Sequence, residues 1–140
     1  MATDSSLLTP QAALIYAMIT TSAVDRTISD AELQRMGFIV RQLPVFANYE
    51  HDWLVREAQD CGKILGKSGG LDRVLALIDA SLPENLRETA YALCAEVAAV
   101  DMDMKAEELR FLELLAAELE LDKLTCAALE RAVRARHQTA

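Results

Sequence analysis

The sequence predicts an all-α protein of about seven helices in one bundle-like domain, and three observations carry that prediction. Apolar residues recur at three- and four-residue spacing along most of the chain, and runs of alternating β-branched residues are missing. Helix-capping signatures stand just ahead of several apolar runs. The chain also repeats itself, because a shift of 76 positions lays residues 10–46 over residues 86–122 without a gap.

The elements follow in order. Thr9 before Pro10 reads as an N-cap with proline at the first helical position, where its missing N–H matters least, and opens a helix to about Val24. Ser29 and Glu32 form a Ser-x-x-Glu capping box, after which Leu33, Met36, Val40 and Leu43 lie on one helix face and Pro44 ends it. A third helix over residues 49–65 carries Trp53, Leu54, Ile64 and Leu65, and stops at the glycine-rich stretch 66–70. A short fourth spans 71–80. Ser81 and Glu84, with Pro83 between them, predict a second capping box and a fifth helix to about Val100. A sixth begins after Asp103 or Met104, with Leu109, Leu112, Ala116 and Leu119 as its apolar stripe. Asp122 caps a last helix ending near Arg136. Residues 1–9 are expected to be a disordered segment, 10–136 the helical domain and 137–140 a frayed end.

At 140 residues the chain is long enough to bury a core without metal or disulfide staples. Hydrophobic residues make up 52% of it, yet no uncharged apolar run approaches the roughly 20 residues of a membrane span, so no membrane insertion is expected. Met1 to Thr9 lacks the basic and apolar regions of a secretory signal, which predicts a cytoplasmic protein. Cys61, Cys94 and Cys126 are widely spaced and odd in number, and read as reduced core thiols. A net charge of -8 repels phosphate backbones, so nucleic acid is not expected as a partner, whereas cations and basic protein surfaces fit. Oligomeric state is left open.

The repeat superimposes core positions. Leu14, Ala17, Met18, Thr21 and Val24 fall on Ala90, Leu93, Cys94, Val97 and Val100, while Leu33, Met36, Val40 and Leu43 fall on Leu109, Leu112, Ala116 and Leu119. Ala23-Val24-Asp25 returns as Ala99-Val100-Asp101, and Glu32-Leu33 as Glu108-Leu109, so each helix corner carries an Asp and a Glu seven residues apart. Two such units suit a pseudo-two-fold arrangement. These corners, at 23–33 and 99–109, resemble the paired acidic corners of the tellurite-resistance TerB family, and the resemblance covers most of the chain. Where that family commonly has Gly after the Asp, this chain has Arg26 and Met102, and Lys105 stands where the first copy has its capping serine. The resemblance implies a divalent-cation-responsive component of a stress or tellurite-resistance system.

Four carboxylates brought near one another make a site for a hard cation, Ca²⁺, Mg²⁺ or Mn²⁺. Asp25, Glu32, Asp101 and Glu108 are the candidate ligands, with Asp30 and Asp103 as supplementary donors. The competing reading makes them helix caps, since Glu32 completes a box with Ser29 and a carboxylate near a helix N-terminus is favourable in any case. An EF-hand is excluded, because the positions eleven beyond Asp25 and Asp101 are Met36 and Leu112. No enzyme and no organic cofactor are expected. The only histidines are His51, read as a helix-surface residue, and His137, in the tail, and Cys94 aligns with a core position. The 66–70 stretch lacks the spacing and parent strand of a phosphate loop and reads as a turn. The alternative function is a protein-interaction module docking a partner between the repeats or on helices three and four. Trp53 is either its anchor or, as is commoner in a small helical protein, a core wedge.

Overall fold

A computed structural model of the chain describes residues 7–23, 28–99 and 106–140. Within them lie seven α-helices, α1 (Pro10–Ala23), α2 (Asp30–Arg41), α3 (His51–Leu65), α4 (Gly70–Ser81), α5 (Arg87–Ala99), α6 (Ala106–Glu118) and α7 (Lys123–Arg136). Short 3₁₀ turns occupy Pro44–Phe46 and Glu84–Leu86, and the described residues contain no strand.

The sequence of α1 is apolar on every side, and such a helix belongs in the interior. Every residue from Ala12 to Ser22 is buried, and the helix packs against α3, α4, α5 and α6. Two of its buried hydroxyls are satisfied within the helix: Thr20 and Thr21 each donate to the carbonyl four residues back, Tyr16 and Ala17, at 2.8 Å. Thr9 caps it as expected, accepting from the Ala12 N–H at 3.0 Å. Just upstream, the Leu8 N–H donates to Ser81 Oγ at 3.0 Å.

That contact explains one departure from expectation. Ser81 is the last residue of α4 and its hydroxyl receives Leu8, so the predicted Ser81–Glu84 capping box does not form. Pro83 instead leads into the 3₁₀ turn with no side-chain cap, and α5 starts at Arg87. Arg87 then knits three elements together, its Nη2 2.8 Å from Asp79 Oδ1 on α4 and its Nη1 donating to the Leu119 carbonyl just past α6 at 3.1 Å.

The stripe of α6 is rotated from the predicted one. Phe111, Leu112, Leu115 and Leu119 are buried, Ala116 is half-buried, and Leu109, expected in the core, is 43% exposed. Trp53 is no core wedge either: it is 39% exposed and meets Tyr49 edge-on at 5.4 Å, as Tyr49 meets Phe46. The glycine-rich turn is a tight reversal. Gly69 takes φ 72°, and a Cβ on Gly70 would lie 2.0 Å from the Ile64 carbonyl oxygen, so the start of α4 can approach the end of α3 this closely only because position 70 has no side chain. At the far end α7 lies on α5 through Ala95, Ala99 and Val133, and His137 Nε2 and Arg136 Nη2 sit 2.6 and 3.2 Å from Glu96 Oε2. His137 thus contacts α5 through Glu96.

Candidate functional site

The three cysteines are free and buried, and burial raises the Cys61 thiol to about 11 and the Cys94 thiol to about 12, which leaves them protonated and poorly nucleophilic. Tyr49 and Tyr91 form hydrogen bonds with Glu57 and Glu130, which brace α3 and α7. Glu57 titrates high because burial disfavours its charged form. His51 is exposed at the start of α3, as read from the sequence, with its ring against Gly37.

Of the two acidic corners the structure describes the glutamates and the start of each following helix. At the first, Ser29 has extended backbone ahead of α2 and the full capping box forms: the Glu32 N–H donates to Ser29 Oγ at 3.2 Å and the Ser29 N–H donates to Glu32 Oε1 at 2.9 Å. At the second, Glu108 lies in the first turn of α6. Both glutamates are half-buried, and both line one small cleft. Ser22, Met36, Ile39 and Val97 complete its walls with Arg35, leaving about 20 Å³ for a water-sized particle.

Of the predicted ligands, the structure thus brings together Glu32 and Glu108, which are equivalent positions of the repeat. Asp30 is exposed on the first turn of α2 and does not line the cleft. Asp25, Asp101 and Asp103 lie outside the described residues. Among the described residues no three His, Cys, Asp or Glu side chains gather as a metal cluster. The donor chemistry of the cleft still fits a hard cation: two carboxylates from different elements, each near a helix N-terminus. Arg35 is the charged lining residue that the sequence reading did not single out. Two signals mark it, a place three residues after Glu32 and an alignment in the repeat with an unlike residue, Phe111.

Fold and cleft together define a small all-helical protein whose two halves each present a half-buried glutamate to a common opening. The chain belongs to the TerB family: the family model described as tellurite resistance protein TerB matches residues 11–132, most of its length. The chain has no significant match among curated proteins or solved structures. No helix among the described residues is long and apolar enough to cross a membrane.

Proposed function

We propose that this TerB-family chain is a non-enzymatic, cytoplasmic component of a tellurite-resistance or stress response that binds one divalent cation between its acidic corners. The observation that supports this reading is the convergence of Glu32 and Glu108 on one cleft from helices far apart in sequence. Mg²⁺ or Mn²⁺ suits a site with few carboxylates and several retained waters. Ca²⁺ needs six to eight oxygens, and so calls on Asp25 and Asp101 as well, with Asp30 and Asp103 as supplementary donors. When bound, the cation supplies positive charge that neutralises carboxylates facing each other across the opening, and so links α2 to α6.

The test is calorimetric titration of metal-stripped protein with Ca²⁺, Mg²⁺ and Mn²⁺. Glu32→Gln/Glu108→Gln and Asp25→Asn/Asp101→Asn are each expected to lower the affinity at least tenfold while circular dichroism shows the helices retained. Wild-type affinity in both double variants sinks the reading and returns these residues to a capping role alone.

A further inference from the structure

The outward side of α2 runs against the charge of the chain. No Asp or Glu occurs from residue 33 to residue 49, in a protein of net charge -8. Arg35, Phe38 and Arg41 follow one another at three-residue spacing, which sets side chains on one helix face, and all three are exposed. Phe38 is 59% exposed, more than any other described aromatic side chain. The equivalent helix of the second half has the opposite charge: α6 carries Glu107, Glu108, Glu113 and Glu118 against Arg110 alone. Leu109, part-exposed, shares a side of α6 with the exposed Glu113 four residues on, and Glu120 is exposed just past the helix end. Neither arginine of α2, nor Glu107, Glu113 or Glu120, enters an ion pair among the described residues.

We infer that these two faces are the halves of one self-association surface, with α2 of each copy laid on α6 of a second copy. Charge complementarity names the occupant: an apolar centre between two arginines fits an apolar centre beside glutamates, and this chain carries both. A single exposed apolar side chain is ordinary surface, but an aromatic ring between arginines has the composition that interfaces favour. α2 and α6 both border the cleft, so a two-fold axis lets the same contact form twice and close as a dimer. Phe38 of one copy then meets Leu109 of the other, and Arg35 and Arg41 meet Glu113 and Glu120. The net charge of -8 on each copy opposes this only at range, because it is screened over about 8 Å at physiological ionic strength, while the groups in contact attract. The inference stands apart from cation binding, since none of these contacts uses Glu32 or Glu108.

Analytical sedimentation of the full chain at physiological ionic strength tests it, on wild type, Phe38→Ala, Arg35→Glu/Arg41→Glu, Glu113→Lys/Glu120→Lys, and an equimolar mixture of the two charge reversals. Every substituted residue is exposed, and circular dichroism establishes that each variant is folded. Wild type is expected to dimerise at micromolar concentration, the weak end for interfaces of standard size. Phe38→Ala and each reversal alone are expected to weaken the dimer about tenfold or more. The mixture is expected to recover it as a heterodimer, because both of its α2–α6 contacts again pair opposite charges. Wild type that stays monomeric up to about 100 μM, beyond that range, overturns the inference. A dimer that the substitutions leave intact, a mixture that fails to recover, or growth beyond a dimer overturns it too. A monomer that binds labelled poly-glutamate, with binding lost in Arg35→Glu/Arg41→Glu, gives the basic face to another acidic partner and likewise overturns it.

Discussion

The second helices of the two halves of the chain, α2 and α6, occupy aligned stretches of sequence and bury different stripes. In the first half α2 buries Met36, Gly37 and Val40, whereas in the second half Phe111, Leu112, Leu115 and Leu119 are all buried. At the aligned positions 35 and 111 one half places an arginine at the cleft and the other a phenylalanine in the core. A sequence repeat thus carries over the order and bounds of helices more faithfully than their caps or the direction each side chain takes, because a small rotation of a helix reassigns its stripe while leaving its ends in place.

This contrast breaks most easily at those aligned positions. Phe111→Ala is expected to cost about 3–5 kcal/mol, the range for truncating a buried aromatic, and Arg35→Ala less than about 1 kcal/mol. Urea unfolding of both variants measures the difference, and comparable losses would mean the halves are equivalent after all. One turn away the expectation is similar but smaller. Leu112→Ala should lose about 2–5 kcal/mol, while Leu109→Ala, half in water, should lose well under half as much. A larger loss at Leu109 would restore the unrotated stripe. Ser29→Ala removes the capping box of α2 and should lower stability by about 1 kcal/mol, read from the shift in thermal midpoint.

The smallest effect concerns Asp122. The Thr125 N–H donates to its carboxylate at 2.6 Å and holds its pKa below the ordinary 3.8. The folded state therefore favours the charged form. That stabilisation is complete above the unfolded value and disappears as the pH falls through the lower folded one. The stability gap between wild type and Asp122→Ala should be steady at neutral pH and narrow in strong acid, as followed by thermal melts across pH. A gap that widens in acid would rule out the carboxylate cap.

Local chemistry was legible in the sequence where its partners are also local. Thr9, the Ser29–Glu32 box and Asp122 each cap a helix as read, since donor and acceptor lie within three residues. Ser81 was misread because its hydroxyl meets Leu8, 73 positions away, and no short motif registers such a contact. Phe111 and Leu115 were left off the α6 stripe because alignment with the first half put Leu109 in their place. Half of the candidate site, Glu32 and Glu108, followed from the repeat. Arg35 did not, because a repeat draws attention to matching residues, and the informative position was a mismatch.

The enclosure of α1 also shapes how the molecule opens. With Ala13 to Ile19 dry on every side and α3, α4, α5 and α6 all packed against it, no single neighbouring helix can detach without wetting part of that surface. Amide protons in the middle of α1 should therefore exchange with solvent only when most of the molecule comes apart, and their rate would report the global unfolding free energy. Those near the outer end of α7 should exchange through local excursions. Hydrogen exchange would then separate a slow spine from a fast rim within one small domain.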